Sequence, residues 1–251
     1  AIHRHHGGFG RPDFAGLAGD TRPVFAIAIP AILTQLATPV GQAYVTRAMA
    51  EYGEEAVAGM AIVGRLTPVA FAVIFALSGA VGPIIAQNAG ARNTDRVSRA
   101  FRDALLFTGA VTLLVSAVLF ALRGPLEWLF ALHEAGTART LVFLFAGPLS
   151  LLWFFNGVIF VANAGFNNLG HPFYSTMTNW GRHTLGTVPL VILFAGWFGA
   201  PGVLIGQAAG GVIFALISLV LARRILGEAP EAPRHSFPLH ARIVQVFTHR
   251  R

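Results

Sequence analysis

The stretch ALLFTGAVTLLVSAVLFAL, residues 104–122, carries no charged side chain and no proline. A helix that crosses a hydrocarbon core needs ~20 mostly apolar residues, because each residue adds only about 1.5 Å of rise. Five more apolar stretches flank it, at Val24–Tyr44, Ile62–Gln87, Leu141–Asn163, Phe173–Phe198 and Gly202–Ala222. A soluble fold of 251 residues has no use for six such runs. The expected fold class is therefore all-α, a polytopic membrane protein built as a bundle of six transmembrane helices.

Composition agrees. Hydrophobic residues make up 55% and charged residues only 12%, against roughly 25% charged in ordinary soluble domains. Every basic residue is arginine, and there is no cysteine, so neither a disulfide framework nor a thiolate metal site is available. A net charge of +7 would suit nucleic acid, but the placement of the arginines argues against that partner. Arg4, Arg11 and Arg22 precede the first stretch, Arg92, Arg96, Arg99 and Arg102 fill the second loop, and Arg223, Arg224, Arg234, Arg242, Arg250 and Arg251 follow the last. The alternate loops hold Glu51, Glu54 and Glu55, or balance Arg123 and Arg139 with Glu127 and Glu134. Positive-inside bias then puts both termini and the even loops in the cytoplasm of an inner membrane, with the arginines facing anionic headgroups of the lipid bilayer.

Three regions follow: a cytoplasmic linker at 1–22, a six-helix transmembrane lobe at 23–226 and a basic cytoplasmic tail at 227–251. The chain opens on Ala1 with polar residues and no signal-peptide pattern, which leads us to expect a piece of a longer protein. His3, His5 and His6 read as a solvated loop and not as metal ligands. The spacing of Arg92, Arg96, Arg99 and Asp103 predicts a short amphipathic helix lying at the interface. Prolines at 30, 39, 68, 83, 148 and 189 interrupt the spans, each removing a hydrogen bond and bending the backbone. Gly202, Gly206 and Gly210 recur every four residues, a pattern for close helix packing.

Eleven carboxylates are present, and none lies inside a span. Coupling to protons or cations inside a membrane ordinarily relies on a buried acidic group. This chain offers none, so any coupling carboxylate must come from elsewhere. Arg65 sits near the start of the second span, and Arg182 with His183 interrupts the fifth; both arginines are read as snorkelling from a boundary, and His183 as a hydrogen-bonded histidine. Uncharged polar groups are more numerous, among them Gln35, Tyr44, Asn156, Asn163, Asn179 and Gln207. Asn156 and Asn163 are two turns apart and share a face. Aromatic neighbours such as Trp153 and Trp180 would let a lipophilic cation stack beside them. Ser78-Gly79 with His183 is a poor match to a serine nucleophile and its base, so no enzyme is expected.

Several segments are similar to one family. Ile29–Val40 (IPAILTQLATPV) resembles the seventh helix of multidrug and toxic compound extrusion (MATE) transporters. Gly82–Ala91 (GPIIAQNAGA) resembles the end of their eighth helix, and Asn163–Pro172 (NAGFNNLGHP) the loop after their tenth. Asn179-Trp180-Gly181-Arg182 and Gly202-Val203-Leu204 fit the later helices. The resemblance covers about residues 22–226 and implies the carboxyl-terminal six-helix lobe of a twelve-helix antiporter. Its first and fourth helices lack the acidic residues of the NorM-type branch. They are more similar to the DinF-type branch, where the coupling aspartate belongs to the first lobe.

The resemblance thus implies cation-coupled multidrug efflux by alternating access. The coupling ion would be H+ or Na+, held in the missing amino-terminal lobe, with no cofactor in this one. The substrate-path residues are expected to be Gln35, Tyr44, Arg65, Asn156, Asn163 and Asn179. Partners are small lipophilic or cationic substrates and the first lobe or a second copy. The rivals are a flippase for a lipid-linked substrate and a non-transporting scaffold module.

Overall fold

The computed structural model describes residues 14–132 and 136–227. The expected tail and the His3–His6 cluster lie outside the described residues. The described chain is a succession of helices with no strand. Helix α1 (Phe14–Ala50) continues through Pro23, Pro30 and Pro39. Next come α2 (Glu54–Ala70), α3 (Ala72–Gly90), α4 (Thr94–Ala121) and the short α5 (Arg123–Leu129). Helix α6 (Thr137–Leu144) runs through a π-helical turn at Phe145–Leu149 into α7 (Ser150–Asn168). Helix α8 (Pro172–Gly181) passes a second π-turn at Arg182–Gly186 into α9 (Thr187–Phe198), and α10 (Ala200–Gly227) closes the bundle. Joined across their breaks, these make six rods.

By length and composition, four helical segments are apolar enough to cross a membrane: Ala72–Gly90, Thr94–Ala121, Thr137–Asn168 and Ala200–Gly227. Six were expected. The rod Pro172–Phe198 is not among them because Thr178, Asn179, Arg182, His183 and Thr184 dilute its apolar run. The second rod breaks at Phe71, three residues after Pro68, where φ is −105° and ψ is 20°.

The expected interfacial helix is instead the first part of α4. The Asn93 side chain accepts from the Arg96 backbone N–H at 3.3 Å, capping a helix that runs on without interruption. Val97, Phe101 and Ala104 are buried along one side of it and join Ile85, Phe166 and Ile225 in a core cluster. A periodic buried stripe outweighs the local charge, so the arginines ride on the outer face of the span. Further along, Thr108 and Thr112 hydrogen-bond back to the Ala104 and Thr108 carbonyls at 2.8 Å each, so their hydroxyls are satisfied inside the bundle. Leu106, Leu113, Leu114 and Phe120 point outward from the same helix. Apolar outside and partly polar inside is the arrangement expected where lipid is the solvent.

Small residues set the closest contacts. A Cβ at Gly206 would stand 2.6 Å from the Leu190 carbonyl oxygen, one at Gly210 would stand 2.7 Å from the Gly186 carbonyl carbon, and one at Gly202 would overlap the Phe194 carbonyl. Helices α9 and α10 therefore touch backbone to backbone along this four-residue spacing. Helix α1 is tied in by polar bonds: Trp180 Nε1 donates to the Leu33 carbonyl at 2.8 Å, and the Thr34 and Thr176 hydroxyls lie 2.7 Å apart.

Candidate functional site

A cavity of about 840 Å³ opens between α1, α2, α3, α7, α8 and α10. That volume lies within the range of roughly 300–1,000 Å³ typical of small-molecule sites. Four of the expected path residues, Gln35, Asn156, Asn163 and Asn179, line it. Tyr44 and Arg65 do not. Tyr44 packs half-buried against the cluster containing Val45, Leu141 and Val203. Arg65 is exposed, although its neighbours Gly64, Thr67 and Pro68 on α2 do line the cavity.

Helix α7 supplies the centre of the wall. Trp153, Asn156, Phe160 and Asn163 recur at spacings of three and four residues and so form one stripe. Trp153 is fixed by stacking on Phe71, ring centroids 4.6 Å apart, and by an edge contact with Phe75 at 5.6 Å. The stripe thus alternates apolar aromatic faces with carboxamides. The Asn163 carboxamide oxygen accepts from the Thr178 hydroxyl at 3.2 Å. Asn179 is partly spent on its own helix, its Nδ2 donating to the Ser175 carbonyl at 2.9 Å. Gln207 Nε2 donates to Gln42 Oε1 at 3.1 Å, bridging α10 to α1 at the cavity edge. Ser78 donates to the Phe75 carbonyl at 2.9 Å, which uses its hydroxyl for helix packing.

The residue with the greatest electrostatic weight is Arg182, expected at a boundary but found buried in this wall. Its Nη1 donates to Asn156 Oδ1 at 2.6 Å, and its Nη2 lies 2.7 Å from His183 Nε2. An arginine nitrogen can only donate, so His183 Nε2 must present its lone pair and the ring must carry its proton on Nδ1. The imidazole is neutral in this arrangement. It packs against α1 at Gly41, where a Cβ would come within 2.7 Å of the ring carbon Cγ. Both acceptors for Arg182 are therefore uncharged. Among the described residues that line the cavity there is no Asp or Glu. A buried guanidinium held only by neutral acceptors leaves its charge uncompensated.

The sequence marked Arg182 as a break in an apolar run. It could not show that Asn156, twenty-six positions earlier and on another helix, meets it. Gly41 carried no signal until its backbone was seen against the His183 ring.

The MatE family model matches residues 30–191. A protein of Pseudomonas savastanoi, described as an uncharacterized 21 kDa protein in the iaaL 5′ region, is 38% identical over 221 residues, covering 84% of this chain and 68% of its own. The FAD transporter of Shewanella oneidensis is 28% identical over 204 residues, covering 79% of this chain and 44% of its own. The Vibrio cholerae MATE transporter VcmN in its bent form shares the fold, with a TM-score of 0.75 at 22% identity over 83% of this chain and 47% of that one. The chain thus spans under half the length of the FAD transporter and of VcmN, and about two thirds of the Pseudomonas relative.

Proposed function

Because the chain belongs to the MatE family, whose members are membrane transporters and not enzymes, we propose that it is the carboxyl-terminal lobe of a cation-coupled antiporter of the DinF-type branch. The observation that carries this reading is the cavity itself, drug-sized, walled by carboxamides and aromatic rings, and free of carboxylates among its described lining residues. Such a wall holds a solute without supplying a coupling group. The H+ or Na+ site then belongs to the amino-terminal lobe, and exchange proceeds by rocking of the two lobes around a site near the bilayer midplane.

Placement in an inner membrane with the termini cytoplasmic is supported by where the charges gather. Arg92, Arg96, Arg99, Arg223 and Arg224 surround the end of the bundle where Val97 packs with Ile225. At another corner, Glu55 accepts from the Thr137 backbone N–H at 2.9 Å, and Glu127 pairs with Arg139 at 2.7 Å. Positive-inside bias puts the first end in the cytoplasm.

Lipophilic aromatic drugs fit the Trp153 and Phe160 wall by stacking. The Shewanella relative is described as a FAD transporter, so FAD, with its own fused rings, belongs in the first panel of solutes. The test is efflux from proteoliposomes containing the full-length protein. The double variant Asn156→Ala with Asn163→Ala is expected to cut efflux by about thirtyfold, two hydrogen bonds to the solute of about 1 kcal/mol each being lost. Unchanged efflux at equal protein levels would remove this cavity from the transport path.

A further inference from the structure

Resting on the transport reading, and sharpening it, we infer that Arg182 anchors an anionic group, a carboxylate or phosphate, on the transported solute, whose aromatic body lies along Trp153 and Phe160. The first reason is charge. Arg182 is only 9% exposed, lines the cavity, and has no carboxylate among the lining residues described. Buried charges in proteins are ordinarily paired. The second reason is geometry. Asn156 and His183 each occupy one guanidinium edge with a neutral acceptor and so orient the planar group without quenching its charge. A guanidinium has five donors, enough to hold a carboxylate or phosphate through two parallel bonds while keeping both neighbours.

The third reason removes the structural alternative. Arg182 begins a π-turn, and an arginine there could be needed to satisfy backbone carbonyls. That duty is already filled: the Thr187 hydroxyl donates to the Arg182 carbonyl at 2.8 Å. The described hydrogen bonds of the Arg182 guanidinium go to side chains and not to backbone. The fourth reason is register. Asn156 stands one turn from Trp153 and one from Phe160 on the same face of α7, so the anchor and the aromatic wall are adjacent. An aromatic anion fits this combination. A lipophilic cation would meet the same wall but be repelled by Arg182.

Tryptophan emission excites pyrene, and Trp153 in the cavity wall contributes to that readout. Full-length protein in lipid nanodiscs is titrated with 1-pyrenebutyrate, pyrenyl phosphate, neutral 1-pyrenebutanol and cationic 1-pyrenemethylamine. The expected result is about tenfold or tighter binding of at least one anion over the alcohol, the factor carried by a hydrogen bond to a charged group. Which anion binds better tells a carboxylate site from a phosphate site. Arg182→Gln is expected to bring anion and alcohol within about twofold without weakening the alcohol, and Arg182→Lys to keep part of the preference, charge without the fork. Should Arg182→Gln fail to fold, the wild-type ranking decides by itself. Equal binding of anion and alcohol, preference for the cation, or binding of no probe would overturn the inference. The first of those is also the result if a carboxylate elsewhere in the protein already pairs with Arg182. Loading the same probes into proteoliposomes separates the two claims. An anion preference without flux of any probe would overturn the transport reading alone, and flux without anion preference would overturn this inference alone.

Discussion

Arg123 and Arg182 both stand beside a π-helical turn, and the two guanidinium groups are put to opposite uses. At Phe145–Leu149, Pro148 contributes no N–H, and the chain kinks at Gly147, where φ is −123° and ψ is −116°. The Phe143 carbonyl, five residues before that proline, is where a π-ladder would have bonded. Arg123 Nη2 reaches across from α5 and donates to it at 2.6 Å. The same guanidinium lies 4.4 Å from the centroid of Phe120 and 5.4 Å from that of Phe143, and a Cβ at Gly147 would overlap it. Here the arginine substitutes for a missing backbone donor. At Arg182–Gly186 the backbone N–H and the hydroxyl of Thr187 both donate to the Arg182 carbonyl, so no backbone donor is missing there, and the arginine lines the cavity with its charge. A polar side chain in an apolar bundle thus acquires meaning only after the backbone around it has been satisfied or left wanting.

That contrast can be attacked from the structural side. Arg123→Met is expected to lower stability by about 2 kcal/mol, the loss of one charged hydrogen bond to a carbonyl and two ring contacts. A thermal-unfolding series on the purified protein reads this, and the ranking of the pyrene probes should not move. Loss of anion preference at unchanged stability would put Arg123 in the solute path and erase the distinction. A smaller effect sharpens the picture within the cavity. Asn179→Ala is expected to change efflux by no more than about twofold, because its amide is bonded to its own helix at Ser175 and a solvated polar substitution of this kind costs little. An efflux loss equal to that of the Asn156 and Asn163 pair would mean that Asn179 turns toward solute during transport.

The rods were legible because lipid-facing helices must be largely apolar, most clearly in the stretch at 104–122, which needs no tertiary partner to be recognised. Their joints were less so. The break at Phe71 lies beyond the turn that Pro68 itself disturbs, and the continuity of α4 from Thr94 into the span was hidden because hydropathy reads the arginines while the helix follows Val97, Phe101 and Ala104. In the cavity, Asn156 and Asn163 were legible from spacing on one helix. Tyr44 and Arg65, expected along the path, do not line this cavity, because the facing of one helix toward another depends on rotation about its axis, which local sequence does not encode. Arg182 was visible as a charge in a span, but its role depends on Asn156, His183 and Gly41, which three separate segments bring together.

The most direct test is whether water reaches the polar stripe of α7 inside a membrane. The chain contains no cysteine, so within it a single Asn163→Cys substitution carries the label, with Leu113→Cys on the outward face of α4 as its counterpart. The full-length protein in native membranes would be treated with a charged, membrane-impermeant methanethiosulfonate from each side in turn. A transport lobe with its cavity along α7 predicts rapid labelling at 163 and none at 113. Labelling at 113 with protection at 163 from both sides would contradict it, placing lipid where the solute path is drawn.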